Sequence, residues 1–174
     1  MGFLSDQQGT ISVFRTSLVI GFFGALLLGA GVLSFFLDQE SRRSPLEIEP
    51  PSNAVTWGNP EERREGRRYV YYQVPGGDVA AVTNYYNRKL RDHYGEPPAG
   101  QRPESCERFP RTGTFPNAAE RGVIPFYVRC MFDNSGLNTL QYTQVTIQPG
   151  QFNEDPFYNT QGNVVIEYEQ RWTP

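Results

Sequence analysis

The sequence has little of what most reaction centres are made from. Its 174 residues hold one histidine, His93, and two cysteines, Cys106 and Cys130. With no third cysteine and no second histidine, a tetrahedral zinc site of nitrogen and sulfur ligands lacks donors. A hydrolase would use His93 as general base beside a nucleophile such as Ser105 or Thr112, but no Gly-x-Ser-x-Gly context accompanies it. A histidine closing a helix, against the free carbonyls and negative dipole end of the last turn, accounts for it more simply. Of the acidic pairs, Glu47/Glu49 sits in the proline-rich linker, Glu154/Asp155 in a turn without the ligand spacing of a calcium loop, and Glu167/Glu169 on the outward phase of a strand, where it reads as solvated decoration. Gly76-Gly77 resembles a phosphate cradle only in outline, because Asp78 puts a carboxylate where the anion would sit. The expectation is a protein that is not an enzyme, with no catalytic residue, no metal and no cofactor.

Lysine is scarce as well: fifteen of the sixteen basic residues are arginine, and the net charge is −3. An acidic chain lacks the surplus of positive groups that phosphate neutralisation needs, so no nucleic-acid partner is expected. Arg63, Arg64, Arg67 and Arg68 cluster, but Glu61, Glu62 and Glu65 interleave with them and leave the patch near neutral. No internal repeat is visible.

Long apolar runs are absent with one exception. Residues 17–37, SLVIGFFGALLLGAGVLSFFL, carry no charge, and at about 1.5 Å per residue they span a hydrocarbon layer of about 30 Å. A cleaved signal peptide has a shorter apolar region ending in a small-x-small site, whereas this run closes on Phe35, Phe36 and Leu37. It is read as an uncleaved signal anchor, a transmembrane helix after a short cytoplasmic tail at 1–16. Arg15 on one side and Arg42 and Arg43 on the other nearly cancel in the basic-residue rule. The brief tail and the placement of both cysteines beyond the span favour an extracytoplasmic C-terminal domain, in the periplasm or outside the cell. Myristoylation is excluded by Asp6 at the position that needs Ser or Thr. Within the span Gly21, Ala25 and Gly29 recur every four residues and Gly24 and Gly31 every seven, a small-residue face suited to close helix packing.

Residues 38–67, with Pro45, Pro50, Pro51 and Pro60 among charges, have the composition of an extended linker, and Asn59-Pro60-Glu61-Glu62 carries the signals of a short helical turn. The remainder, 68–174, is rich in Tyr, Phe, Pro, Gly and Asn and poor in Ala and Leu, a composition of strands and turns. Residues 68–74 (RYVYYQV) read as a strand ended by Pro75-Gly76-Gly77. Asp78 then caps a helix whose apolar stripe is Val79, Val82, Tyr86 and Leu90, stopped by Gly95 and Pro97. After an irregular, Pro- and Arg-rich stretch at 96–122 come strands at 123–132, 140–148 and 164–172, the second changing phase between Tyr142 and Val145 as at a bulge. The predicted fold is α+β: one main helix on a mainly antiparallel sheet of about four strands.

Cys106 and Cys130 are expected to form a disulfide, closing a loop of about 25 residues and stabilising the domain by about 3.5 kcal/mol in the chain-entropy model. Ten tyrosines lie in this domain, and tyrosine is favoured at interfaces for its flat apolar ring and polar tip; Tyr71, Tyr85, Tyr127 and Tyr158 are the interface candidates. Two functions fit. One is an accessory subunit whose helix docks on a larger integral membrane protein and whose outer domain caps or steadies the complex. The other is a membrane-tethered sensor or ligand-binding domain, its small ligand unspecified.

Overall fold

Val13–Ser41 forms one uninterrupted 29-residue helix, α1. The computed structural model describes residues 13–97, 99, 104–118 and 122–174 and divides into two compact units, Met1–Ser41 and Arg42–Pro174. Of the tail expected at 1–16, residues 1–12 lie outside the described residues. Large apolar side chains from Leu18 to Leu37 are exposed on every side of α1, so the helix has no polar stripe for water and no apolar stripe aimed at a core. Its Ser17–Ser41 part is long and apolar enough to cross a membrane, a test that a signal sequence also passes.

In the second unit the strands are β1 (Val55–Thr56), β2 (Glu61–Arg64), β3 (Arg67–Pro75), β4 (Glu107–Phe109), β5 (Tyr127–Asp133), β6 (Gln141–Pro149) and β7 (Asn163–Trp172), with helix α2 (Val79–Tyr94) after β3. They form one antiparallel sheet in the order β1-β3-β7-β6-β5-β4, with β2 also paired to β3. β1 and β2 lie end to end along the outer edge of β3, so seven strands occupy six positions. The α+β class stands, but the sheet is six strands wide, not four. The missed strands have two to four residues, too few to show a period.

Asp78 caps α2 by accepting hydrogen bonds from the backbone N–H groups of Ala80 and Ala81. Val82, Tyr86 and Leu90 are its buried stripe, packed on a core that includes Val70, Val74, Val128, Phe132, Val145, Ile147, Val164, Ile166 and Tyr168. Tyr86 and Tyr168 share a hydroxyl–hydroxyl bond of 2.7 Å inside this core, which satisfies both polar tips. Cys106 and Cys130 are joined by a disulfide. Cys130 is fully buried under α2, so the bond pins the irregular stretch before β4 to the core.

Three local expectations fail, among them the linker at 38–67, most of which is part of the domain. Helix α1 continues past residue 37 to Ser41, and Leu46, Ile48 and Ala54 pack against the core. The acidic turn expected at Asn59–Glu62 is instead the start of β2, because β3 offers ladder groups that a helical turn would leave unpaired. The bulge expected in β6 is absent: pairing with β5 and β7 runs without a shift, and Gln141, Thr143, Val145 and Ile147 all face inward and are buried. Two inward polar residues are tolerated because backbone carbonyls of the supposed linker accept from them. Gln141 donates to Ser44 at 2.9 Å, Thr143 to Leu46 at 2.5 Å, and Gln170 of β7 also to Leu46 at 2.8 Å. Segment 44–54 is thus a strap laid beside α2 on the inner face. Lys89 of α2 holds it further through Glu49, at 2.7 Å. That hydrogen bond sets the Glu49 carboxyl below its ordinary range and the Lys89 ammonium above its own.

Candidate functional site

The sheet's inner face is covered by α2 and the strap, which leaves the opposite face as the one that neither of them covers. Strand register places its side chains in rows. Arg67, Arg171, Tyr142 and Asp133 form one row, Tyr69, Glu169, Gln144 and Met131 the next, then Tyr71, Glu167, Thr146 and Arg129. Cross-strand neighbours on one face lie close enough to pack and pair, and most of these side chains shield one another to half-burial.

At the centre of the first two rows Glu169 accepts from two guanidiniums, Arg67 at 2.8 Å and Arg171 at 2.7 Å. Hydrogen bonding to Glu169 raises the Arg171 pKa, and burial is the main reason the Tyr142 hydroxyl beside it is raised as well. Arg67 lies over the ring of Tyr69 at 5.0 Å and Arg171 over that of Tyr142 at 5.9 Å. Both arginines are therefore fixed in orientation by a carboxylate on one side and an aromatic ring on the other.

Aromatic clusters bound this polar centre on both sides. Near β1, Trp57 packs edge to face with Tyr71 and donates its indole N–H to the Phe157 carbonyl at 3.2 Å. Phe157 and Tyr158, 62% and 55% exposed, continue the cluster on the β6–β7 loop. That loop is folded on itself, with Gln151 N–H donating to Thr160 Oγ1 at 2.9 Å. A side chain at Gly150 would meet the Thr160 carbonyl at 1.8 Å, so only glycine fits the closure. Near β4, Tyr127 is stacked with Phe109 and Phe115, and Arg129 lies over Phe109 at 4.6 Å.

Of the four tyrosines singled out from sequence, Tyr71 and Tyr127 belong to this face and Tyr158 to the adjoining loop. Tyr85 does not: it sits on α2, packs against the core, and donates its hydroxyl to carbonyls of the strap, Glu49 at 3.1 Å and Pro50 at 3.2 Å. On α1, a side chain at Gly21, Gly24, Gly29 or Gly31 would meet nothing within 4 Å; helical geometry sets Gly21, Ala25 and Gly29 within an arc of about 80°. The residues that sequence reasoning missed are Trp57, Phe109 and the Arg67–Glu169–Arg171 cluster. A tryptophan in an otherwise polar, proline-rich stretch was the available signal for the first.

His93 is not joined to Ser105 or Thr112. Its Nε2 lies 3.5 Å from the Asp133 carbonyl, and its ring meets those of Tyr94 and Phe132 edge to face. Tyr94 closes the exposed edge of β5, donating to the Met131 carbonyl at 3.1 Å while accepting from Asp133 N–H at 2.7 Å. Capping unpaired ladder groups in this way blunts an edge that would otherwise recruit another strand. Among the described residues no group of three or more His, Cys, Asp or Glu side chains is placed to hold a metal ion.

A cleft lies on the inner side, between the first turns of α2 and the β4–β5 pair. This cleft of about 360 Å³ is lined by Val79, Thr83, Cys106, Arg108, Phe126 and Val128, with others. Thr83 Oγ1 is buried there without a hydrogen-bond partner, and Arg108 lies over Phe126 at 4.2 Å. Compared with known proteins, the chain matches no family model, no curated protein and no solved structure.

Proposed function

We propose that this chain is a single-pass membrane protein and a non-catalytic accessory subunit. In this reading α1 spans the bilayer and packs against a larger integral membrane protein, while the 42–174 domain, on the extracytoplasmic side, lays its open sheet face on the partner's outer surface. The observation that carries the reading is that face: an ordered array in which guanidiniums are pre-oriented by Glu169 and by aromatic rings, flanked by Trp57/Tyr71 and Phe109/Tyr127. Rigid aromatic and arginine anchors around a polar centre are what protein interfaces use most. The disulfide supports an oxidising compartment, and the small residues of α1 support helix packing.

The test is extraction in mild detergent, size separation and mass spectrometry of what travels with the chain. Recovery at fixed stoichiometry in a larger complex, lost on changing Gly21 and Gly29 to Leu or Tyr71 to Ala, is the expected result. Migration alone or as a homodimer sinks the reading. The second reading, a tethered ligand-binding domain, draws on the cleft beside Thr83, whose unpaired hydroxyl suits a ligand with an apolar body and one polar group. If it holds, ligands of that class raise the Tm of the native chain and lose the effect with Thr83→Val.

A further inference from the structure

We infer that the β5–β6 turn, residues 134–140, is a second point of membrane contact, with Leu137 and Leu140 entering the interfacial layer of the bilayer beside the place where the chain joins the domain. This rests on the reading of α1 as a membrane span.

The turn is tight and unusual in what it displays. Gly136 and Thr139 bridge, with Gly136 N–H donating to the Thr139 carbonyl at 3.0 Å, and Asn138 takes φ 64°. The corner is therefore Leu137-Asn138. Turn corners ordinarily carry Gly, Asn, Asp, Ser or Pro, yet Leu137 is 83% exposed and Leu140 43%. The seven residues, NSGLNTL, hold no charge, so moving them out of water meets no cost for stripping an ion. The turn is also braced: Asn134 donates to Gln141 Oε1 at 2.7 Å, Ser135 N–H to Asp133 at 2.8 Å, and Leu140 N–H to Thr173 Oγ1 at 2.8 Å. Leu137 is thus held out by the fold rather than left on a loose loop.

Chain connectivity fixes which end of the domain this is. Arg42, the first residue of the domain unit, donates its guanidinium to the Asn134 carbonyl. It also lies against Gly136, where a Cβ would come within 3.2 Å of Arg42 Cζ. The uncharged run ends at Leu37, and the four residues that follow add about 6 Å of helix. The headgroup layer on each side of the hydrocarbon is about 5–8 Å deep, so Arg42 reaches headgroup level and the turn bound to it comes with it. Asp38 and Glu40 stand at the same depth as Arg42 and Arg43, so the charges there balance and the uncharged tip carries the contact. Leucine side chains held outward at this level are what interfacial segments bury. A bilayer is therefore the occupant that this uncharged apolar tip fits.

The experiment uses the full chain reconstituted in vesicles of phosphatidylcholine and phosphatidylglycerol, with and without lipids brominated in the acyl chain. Leu137→Trp is compared with Phe157→Trp, an exposed site on the loop at the opposite ends of β6 and β7, after subtraction of the wild-type signal from Trp57 and Trp172. The expected result is emission from Leu137→Trp shifted to the blue and quenched by bromine at least about twofold more strongly than that from Phe157→Trp. If the chain floats with the vesicles but the added tryptophan emits as in water, the contact is overturned while the anchor stands. A blue shift without bromine quenching overturns it in favour of a protein surface covering Leu137. A chain that does not float removes the anchor and this inference together.

Discussion

The face of the sheet beneath α2 and the face turned away from it are made by alternate residues of the same strands. On β5, Cys130 and Phe132 point into the core while Met131, between them, is exposed. On β7, Tyr168 is buried in the core while Glu167 and Glu169 face outward. The inner face is interlocked, and apart from the Thr83 hydroxyl at its cleft the buried polar groups described above have specific partners, such as the Tyr86–Tyr168 pair or the strap carbonyls that receive Gln141, Thr143 and Gln170. The outer face also fixes its side chains, but through charge pairs and ring contacts that remain within reach of solvent. Stability belongs to the first surface and, in our reading, recognition to the second.

Substitution of neighbours separates the two most sharply. Phe132→Ala empties a fully buried ring site and is expected to cost about 3–5 kcal/mol, whereas Met131→Ala, next to it on the outer face, should cost less than about 0.5 kcal/mol. Urea unfolding of the two variants measures the gap; comparable losses would mean that the outer face is part of the folding core. Replacing both Cys106 and Cys130 with Ala should cost about 2–4 kcal/mol, read by the same method, and should loosen the cleft without disturbing the Arg67–Glu169–Arg171 cluster on the far side.

Alkaline pH acts most strongly on the inner face. Burial holds the hydroxyls of Tyr86 and Tyr168 well above the ordinary tyrosine pKa near 10, while in the unfolded chain they ionise near that value. The unfolded state therefore sheds these protons first. The stabilisation is complete below about pH 10 and declines as pH rises beyond it. Tm should fall from about pH 10 upward, and a variant with Phe at both positions should fall less steeply. A smaller effect on stability is expected at the polar centre of the outer face. Glu169→Gln weakens a cluster whose arginines are about one-third exposed and should cost about 0.5–1 kcal/mol. The same change should release the partner in co-purification; retained capture would break the division of labour between the faces.

Legibility in the sequence followed the same division. The α2 stripe of Val82, Tyr86 and Leu90, the Asp78 cap and the long strands β3, β5 and β7 could be read because each carries its own period and its own stop signals. The strap could not be read. Pro45, Pro50 and Pro51 among charges look like a tether, and the groups that make the segment structural are mostly backbone carbonyls, which no side-chain pattern records. The phase of β6 was misread for the complementary reason: Gln141 and Thr143 look outward-facing until Ser44 and Leu46, almost a hundred positions earlier, supply their acceptors. The outer cluster shows the same limit, since Arg67 and Glu169 lie 102 residues apart.

By itself the sequence determined the apolar helix, the α+β class, the one long amphipathic helix and which two sulfurs were available to bond. These follow from local periodicity, capping chemistry and composition, all confined to short windows of chain. Only the tertiary structure decided the width of the sheet, the strap, the direction in which each tyrosine points and the place of Leu137 beside Arg42. Those depend on which distant backbone groups meet, because the pairing of polar groups across a sheet is a property of register rather than of any single stretch of residues.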